Sequence, residues 1–275
     1  MLPAFTTYLI DLDGVIYRGE ELLPGADRFV QWLDATHKKY LFLTNNSFAS
    51  DTQVIAKLAR LGIQTDSSHV LGAGQAAVQY IARRFPGGMI YVVGEQPLKE
   101  MALARQLQLA DSSTPPTAIN AVLVGLDRNF NFQTLTEAVR AVRAGAAFIA
   151  INRDPLLPLE GHFIPGCGAM VAAIEASSGV TPLVIGKPQP TLLQEAMNLL
   201  GSTPDETVMI GDGLDSDIAG GVAADTHTIF VLSGRDTRSD LAKARAQPDY
   251  IYDDIAAVLA DLQTSEKTIK RQVND

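Results

Sequence analysis

Two aspartates, two residues apart, follow a short apolar run near the start of the sequence. The segment Tyr8–Gly14 is typical of a buried strand that ends in Asp11 and Asp13, with Gly14 supplying a turn. Residues two apart in an extended backbone point to the same side, so the two carboxylates crowd together at the strand's carboxyl end. Such carboxylates repel each other unless a cation or a shared proton relieves them. The pair therefore indicates a metal ion, acid–base chemistry, or both.

Polar groups follow three further strand-like runs in the same way. The run Lys39–Leu43 is followed by Thr44, Asn45 and Asn46. Lys187 follows the run Pro182–Ile185, and Asp212 and Asp217 follow the run Thr207–Ile210. In open α/β sheets, ligands bind beyond the carboxyl ends of the strands. We therefore expect groups from distant parts of the sequence to converge there.

The carboxylates in this set suit a divalent cation and group transfer. Asp11, Asp212 and Asp217 offer hard oxygen ligands, which suit Mg²⁺. Asp11 can also act as a nucleophile that forms an aspartyl-phosphate. Asp13 can protonate a leaving oxygen and later deprotonate a water. Taken singly, Asp212 or Asp217 is more typical of a helix cap.

The remaining strand-end groups suit an anion. The hydroxyl of Thr44 and the backbone N–H groups after it, at Asn45 and Asn46, can donate hydrogen bonds to phosphate oxygens. Lys187 adds a positive charge that offsets carboxylates and phosphate together. Alone, Thr44 and Asn45 are typical of a turn, and Lys187 of a solvated charge. All four strand ends in one chain favour a functional site over these structural interpretations.

Strand-like and helix-like segments alternate along the sequence. Further strands are expected at Met89–Val93, Ala121–Val124, Ala147–Ile151 and Thr228–Val231. Helices are expected at Ala26–Thr36, Thr52–Leu61, Gln75–Arg84, Leu135–Ala144, Cys167–Ser177, Thr191–Leu200 and Ser216–Ala224. This alternation predicts βα units around mainly parallel sheet, that is, an α/β fold. Phe29 and Trp32, on a predicted helix, are expected in the core.

Composition narrows the class of protein further. A chain of 275 residues, 47% of them hydrophobic, supports a sizeable core in one large or two ordinary domains. The net charge of -9, without a long basic run, disfavours nucleic acid and anionic membranes as partners. No apolar stretch reaches the roughly 20 residues needed to span a bilayer. One cysteine, Cys167, suits a reducing compartment, and no signal-peptide pattern is found, so we expect a cytoplasmic protein in which Cys167 is a small buried residue.

The motifs resemble those of a known superfamily of hydrolases. The segments Asp11–Gly14, Thr44–Asn45, Lys187–Pro188 and Gly211–Asp217 are similar, in this order, to the four motifs of haloacid dehalogenase superfamily hydrolases. The resemblance implies a Rossmann-like parallel-sheet core. It also implies a Mg²⁺-dependent phosphatase that hydrolyses small phosphomonoesters through an aspartyl-phosphate. The second aspartate, Asp13, is similar to the phosphatase branch rather than the dehalogenase branch.

The same resemblance implies a role for each motif residue. Asp11 would be the nucleophile and Asp13 the general acid and base. Mg²⁺ would be held by the carboxylates of Asp11 and Asp212 and by the backbone carbonyl of Asp13, while Asp217 would orient metal-bound water. Thr44 and Lys187 would hold the phosphoryl group, with Asn45 and Asn46 beside them. The expected partner is a small phosphorylated metabolite, and a homodimer is possible.

The interval between Thr44 and Lys187 is too long for a single βα crossover. It resembles the large α/β cap of the 4-nitrophenylphosphatase-like subfamily, which closes over the site and selects the substrate. The segments similar to that cap are Val124–Arg128, Ile151–Pro155 and Pro165–Gly168. The resemblance places the core at residues 1–76 and 181–275 and the smaller, inserted cap at residues 77–180.

Four residues of the expected cap are candidates for contact with the substrate: Asn152, Arg153, Asp154 and His162. Alternatively, Asn152 and Asp154 only shape a turn before Pro155.

A rival motif indicates a different enzyme class. Gly72, Gly74 and Ala77 fit the dinucleotide-binding pattern Gly-x-Gly-x-x-Ala, and Glu95 lies near the spacing expected for a ribose-binding acid. An NAD-dependent dehydrogenase is therefore an alternative, although the strand before Gly72 is very short. A further alternative is a non-catalytic phosphate-binding regulator that retains the cleft.

Overall fold

The structure divides the chain into two compact units. This computed structural model describes residues 2–3, 5–45, 51–159 and 162–274, with side chains at all of these except 51, 158, 159, 162 and 266–274. The first unit comprises Met1–Thr44, Asp51–Leu71 and Lys187–Asp275, and the second comprises Asn45–Ser50 and Gly72–Gly186.

Strands and helices alternate through both units. The strands are β1 (Thr7–Asp11), β2 (Tyr17–Arg18), β3 (Glu21–Leu22), β4 (Lys39–Thr44), β5 (Val70–Gly72), β6 (Met89–Val93), β7 (Gln108–Leu109), β8 (Ala121–Val124), β9 (Ala147–Ala150), β10 (Leu156–Leu159), β11 (His162–Pro165), β12 (Leu183–Val184), β13 (Thr207–Gly211), β14 (His227–Val231) and β15 (Tyr250–Tyr252). The α-helices are α1 (Ala26–Ala35), α2 (Asp51–Arg60), α3 (Ala73–Arg84), α4 (Gln96–Ala104), α5 (Phe132–Arg143), α6 (Cys167–Ser178), α7 (Thr191–Leu200), α8 (Ala219–Ala223) and α9 (Ile255–Asn274).

A six-stranded sheet forms the core of the first unit. Its order is β15-β14-β13-β1-β4-β5, and the four pairings from β15 to β4 are parallel. The chain leaves β1 towards β4 on one side and later returns to β13 on the other, so β1 lies at the topological switch point. Tyr8, Leu9 and Ile10 are fully buried, as expected for a parallel strand covered on both faces. The fold therefore directs the residue after this run, Asp11, to the place where such sheets bind ligands.

Aromatic packing fixes helix α1 against the central strand. The Tyr8 ring meets Trp32 edge-on at a centroid distance of 5.7 Å and Phe29 at 6.0 Å. Phe29 is fully buried and Trp32 nearly so, which confirms their prediction as core residues.

The second unit has its own α/β core. Its five strands run in the order β12-β9-β8-β6-β7 and are parallel, and β10 and β11 form a separate antiparallel hairpin. Cys167 lies in this core, with its thiol 3.5 Å from the Val124 carbonyl oxygen. Burial raises the pKa of Cys167 to about 11, so the reactive thiolate is disfavoured at neutral pH. This agrees with its interpretation as a small buried residue.

The prediction of an α/β fold with parallel sheet and an inserted cap is confirmed, but some elements differ. The expected strand Pro182–Ile185 is reduced to Leu183–Val184, and it pairs with β9 in the second unit's sheet instead of with the core sheet. The expected helix Ser216–Ala224 begins earlier, as a π-helical turn over Leu214–Ile218 that leads into α8. Strands of two or three residues, such as those of the β2–β3 hairpin, are too short for a hydrophobic period to reveal.

The contact division also differs from the expected domain limits. Apart from residues 45–50, which belong to the second unit, the units meet in sequence at 71/72 and 186/187, whereas the sequence places the limits at 76/77 and 180/181. Two elements account for the difference, since α3 begins at Ala73 and β12 lies in the second sheet. The assignment of residues 1–76 and 181–275 to a catalytic core stays a prediction.

None of the helices in the described part of the chain combines the length and the apolar character needed to cross a membrane.

Truncating β1 should destabilise the first unit strongly. We expect Leu9→Ala to lower the free energy of unfolding by about 2–5 kcal/mol, because it leaves a cavity in a fully buried site. The matched control is Leu199→Ala in α7, whose side chain is 52% exposed and should change stability by less than about 0.5 kcal/mol. The midpoints of urea unfolding measure both, and equal shifts would contradict the assignment of β1 to the core.

Candidate active site

The carboxyl ends of β1 and β13 bring the acidic residues together. Asp11 is the last residue of β1, and the register pairs Ile10 with Ile210, so Asp212 follows the end of the adjacent strand. Asp217 lies in the π-helical turn just beyond. One carboxylate oxygen from each of these three aspartates lies within 4.8 Å of the others. Asp11 and Asp212 are about 200 residues apart in the sequence, but the fold brings their carboxylates into one cluster.

A buried lysine lies inside this cluster. The Nζ atom of Lys187 is 2.5 Å from Oδ1 of Asp11 and 2.6 Å from Oδ1 of Asp217, and its side chain is 3% exposed. Burial opposes its positive charge, but Asp11 and Asp217 together raise the pKa of Lys187 above its ordinary value. Lys187 therefore stays an ammonium group and holds two carboxylates in place.

The cluster carries more negative charge than Lys187 neutralises. Burial raises the pKa of Asp11 to about 8; Lys187 opposes this shift, whereas Asp217 and Asp212 add to it. Burial also raises the pKa of Asp212 to about 6, with Asp217 adding to the shift. With all three aspartates ionised, the cluster would carry two more negative charges than the Lys187 ammonium neutralises. The donor set therefore fits a divalent cation, which would keep Asp11 ionised.

Two glycines shape the position of Asp212. Gly14 has a φ of +78°, which favours glycine, and a Cβ atom there would overlap the Asp212 carboxylate. A Cβ atom at Gly234 would overlap the same carboxylate. The backbone N–H of Arg235 donates a hydrogen bond of 2.6 Å to Oδ2 of Asp212. Backbone approaches Asp212 closely because neither glycine has a side chain.

Asp217 is held through its second oxygen. The backbone N–H of Gly213 and the hydroxyl of Ser216 donate to Oδ2 of Asp217 at 3.0 and 3.2 Å. Its Oδ1 faces Lys187. Asp217 thus fixes the turn and orients the lysine.

Asp13 lies beside this cluster but in a different environment. Its side chain is exposed, whereas Asp217 is buried. Partial shielding from water nevertheless raises the pKa of Asp13, while Lys57 and then Lys187 act in the opposite direction. A raised pKa favours the protonated form, which a general acid needs.

The Thr44 segment reaches the same edge of the sheet. Asp11 pairs with Leu43 in the register, so Thr44 lies one step beyond Asp11 on the neighbouring strand and is buried. The backbone oxygen of Asn45 accepts a hydrogen bond of 3.1 Å from Nδ2 of Asn152. Asn46 lies outside the described residues. The phosphate-binding role of this segment stays a prediction.

The cap candidates have structural contacts in the second unit. Oδ1 of Asn152 accepts a hydrogen bond of 3.1 Å from the backbone N–H of Asp154, as a turn-forming side chain does. Arg153 is 2.7 Å from Glu175. The side chain of His162 lies outside the described part of the chain. These contacts favour the turn interpretation of Asn152, and substrate contact by the four residues stays a prediction.

The dinucleotide-like motif lacks the βαβ unit it requires. Gly72 ends β5 of the first unit's sheet, whereas β6, which precedes Glu95, belongs to the second unit's sheet. A dinucleotide site needs both strands in one sheet. Glu95 is also bound by Arg128 at 2.5 and 2.9 Å. The structure therefore disfavours the dehydrogenase interpretation.

Sequence reasoning missed three residues at the site. Gly234 and Arg235 follow β14, so the rule that located the other strand ends would have found them. Lys57 had no such signal, because a lysine on a helix is usually a solvated charge.

Comparisons with known proteins match most of the chain. Residues 8–108 match the model of the haloacid dehalogenase-like hydrolases, and residues 184–258 match a second model described as HAD-hydrolase-like. An acid sugar phosphatase of Staphylococcus saprophyticus is 34% identical over 94% of this chain and 98% of its own.

Solved structures are similar over nearly the whole chain. The p-nitrophenyl phosphatase from Archaeoglobus fulgidus superposes with a TM-score of 0.86 at 31% identity, covering 94% of this chain and 100% of its own. A glycerol phosphate phosphatase from Mycobacterium tuberculosis, in complex with calcium, has a TM-score of 0.81 at 33% identity, covering 92% and 74%. The resemblance inferred from the four motifs is confirmed, and this chain belongs to the haloacid dehalogenase-like hydrolases.

Proposed function

We propose that this protein is a metal-dependent phosphatase that hydrolyses small phosphomonoesters through an aspartyl-phosphate on Asp11. The observation that carries the proposal is the cluster at the end of β1, where Asp11 contacts the ammonium of Lys187 and lies near Asp212 and Asp217. The names of the relatives support the same reaction, since they include an acid sugar phosphatase and a glycerol phosphate phosphatase.

The first half-reaction transfers the phosphoryl group to the protein. A carboxylate oxygen of Asp11 attacks phosphorus and forms a P–O bond, while the P–O bond to the alcohol breaks. Asp13 gives its proton to the leaving oxygen. Lys187 offsets negative charge on the phosphoryl oxygens, and the Thr44 hydroxyl and the N–H of Asn45 donate hydrogen bonds to them.

The second half-reaction releases inorganic phosphate. Asp13, now a carboxylate, takes a proton from a water molecule as that water attacks phosphorus. The bond between phosphorus and the Asp11 oxygen breaks, which restores the carboxylate of Asp11. One water is consumed, and the alcohol and phosphate are the products.

The resident cation in this proposal is Mg²⁺. Mg²⁺ prefers oxygen ligands. The carboxylates of Asp11 and Asp212 and the backbone carbonyl of Asp13 would hold it, and the Asp217 carboxylate lies next to them. When bound, Mg²⁺ would offset the negative charge of the phosphoryl group and of the cluster.

The proposal also covers partners and location. We expect a small phosphorylated metabolite as substrate and a homodimer as the possible assembly. The single, buried Cys167 supports a reducing compartment, and hence the cytoplasm.

Removing the nucleophile should abolish turnover. We expect Asp11→Asn to lower kcat for 4-nitrophenyl phosphate by at least about 10⁴-fold, because an amide oxygen is a poor nucleophile for this transfer. Circular dichroism should show an unchanged fold. The matched control is Asp215→Asn in the π-helical turn Leu214–Ile218, at an exposed aspartate outside the cluster, which should keep the wild-type rate. Wild-type turnover by the Asp11 variant would refute the assignment.

Removing the general acid should harm poor leaving groups most. We expect Asp13→Asn to slow hydrolysis of glycerol 3-phosphate by roughly 10²–10⁴-fold, since an alkoxide leaves slowly without a proton. With 4-nitrophenyl phosphate, whose phenol leaves readily, the rate of the first half-reaction should fall less. Phosphorylated protein should then accumulate, because the second half-reaction still lacks its base. Steady-state rates and mass spectrometry of the quenched protein measure both effects. An equal loss with both esters, without phosphorylated protein, would contradict this role.

Filling the space beside Asp212 should weaken cation binding. We expect Gly234→Ala to reduce affinity for Mg²⁺ by about 10–100-fold, because the added Cβ atom displaces the Asp212 carboxylate. Isothermal titration calorimetry measures this without turnover. Gly74→Ala is the matched control, since a Cβ atom there meets its neighbours at ordinary distances of 3.5 Å or more. Unchanged Mg²⁺ affinity in the Gly234 variant would exclude Asp212 as a ligand.

A further inference from the structure

Lys57 lies over a residue that faces Asp13. It belongs to α2, and its Nζ atom is 3.7 Å from the centroid of the Tyr17 ring. Tyr17 forms a backbone bridge with Asp13, and its carbonyl oxygen accepts a 2.8 Å hydrogen bond from the N–H of Gly14. The Lys57 side chain is 22% exposed, which is low for a lysine. Helix α2 therefore supplies a mostly covered positive charge next to the Asp11–Gly14 motif.

The contacts of Lys57 orient its charge but neutralise it little. Stacking on the Tyr17 ring attracts the ammonium without bringing a counter-charge. The Glu20 carboxylate is 3.9 Å away and its side chain is 72% exposed, so this ion pair is long and screened by water. Glu20 also faces Arg60 at 3.5 Å, so it is shared between two cations.

This environment differs from those of the other cations at the site. Lys187 is bound by Asp11 and Asp217 at 2.5 and 2.6 Å. The side chain of Arg235 contacts Asp236 and donates to the Ser216 hydroxyl. The contacts of Lys57, by contrast, are the Tyr17 ring at 3.7 Å and the solvated Glu20 carboxylate at 3.9 Å.

The position of Lys57 bears on the alcohol part of the substrate. Under the proposed function, Asp13 gives its proton to the leaving oxygen, so the alcohol lies on the Asp13 side of the phosphoryl group. A group attached to that oxygen then approaches the ammonium of Lys57. The ammonium of Lys57 carries one positive charge, which a single carboxylate on that group would neutralise.

We infer that Lys57 is a specificity-determining residue that recognises a carboxylate on the alcohol part of the phosphomonoester. This inference rests on the proposed function. It assigns Lys187 to the phosphoryl group and Lys57 to the leaving group. The protein should accordingly discriminate between two esters that differ only in a carboxylate near the ester oxygen.

A matched pair of substrates tests the inference. In 3-phosphoglycerate a carboxylate replaces the terminal CH₂OH group of glycerol 3-phosphate. We expect Lys57→Gln to raise KM for 3-phosphoglycerate about tenfold or more, because a charge-assisted contact is lost. KM for glycerol 3-phosphate should change less than about twofold, and Lys57→Arg should restore most of the discrimination.

Arg60→Gln is the matched control. Arg60 lies on the same helix and shares Glu20, but its side chain is 62% exposed. It should behave as the wild type with both esters. If Lys57→Gln impairs both esters equally, or if Arg60→Gln reproduces its effect, Lys57 only supports the β2–β3 hairpin and the inference is wrong.

A binding measurement separates this inference from the proposed function. Isothermal titration calorimetry of 3-phosphoglycerate with the Asp11→Asn protein, with and without Lys57→Gln, needs no turnover. We expect the added substitution to weaken binding about tenfold. Equal affinities would overturn the role of Lys57. If the wild type hydrolyses neither these esters nor 4-nitrophenyl phosphate, the phosphatase proposal fails, while the titration still decides whether Lys57 binds the carboxylate.

Discussion

The contact of one buried ammonium group with two carboxylates is the constraint on which this site depends. Lys187, Asp11 and Asp217 are charged groups largely removed from water, and such groups are tolerated only when they are paired. Lys187 can meet both partners only if the segment after β12, the end of β1 and the turn after β13 converge. The switch point of the parallel sheet provides that convergence, because β1 and β13 are neighbours there. The fold is therefore needed to bring the three charged groups together, and their pairing is needed to stabilise the fold at this point.

The pairing is incomplete, and the surplus negative charge is what makes the cluster a site. A fully neutralised cluster would be a structural ion pair with no affinity for a cation. Here burial, with smaller contributions from Asp217 and Asp212, raises the pKa of Asp11, because one ammonium does not balance three carboxylates. The backbone around Asp212 is equally specific, since Gly14 and Gly234 leave room for its carboxylate and for little else. Steric constraints thus fix the position of the Asp212 carboxylate, and the acidic surroundings favour a cation beside it.

The sequence predicts the centre of this site better than its surroundings. Asp11, Lys187 and Asp212 each follow an apolar run, and the carboxyl ends of parallel strands mark ligand sites in general. The sheet to which β12 belongs could not be predicted, because two residues carry no periodicity. Lys57 was equally hidden, since its significance comes from a contact with Tyr17 across 40 residues of sequence. Functional residues at strand ends can be predicted from the sequence, whereas residues placed at the site by helix packing can be identified only in the structure.

The environments of the two lysines imply different sensitivities to substrate charge. Lys187 contacts two carboxylates of the protein at 2.5 and 2.6 Å, so its charge is largely paired before any substrate binds. Every phosphomonoester would present the same phosphoryl group to it. Lys57 contacts an aromatic ring and a solvated carboxylate, so its charge is less fully paired than that of Lys187. Affinity for the phosphoryl group and selection among alcohols can then vary independently. A substitution at Lys57 would then leave the buried contacts of Lys187 undisturbed.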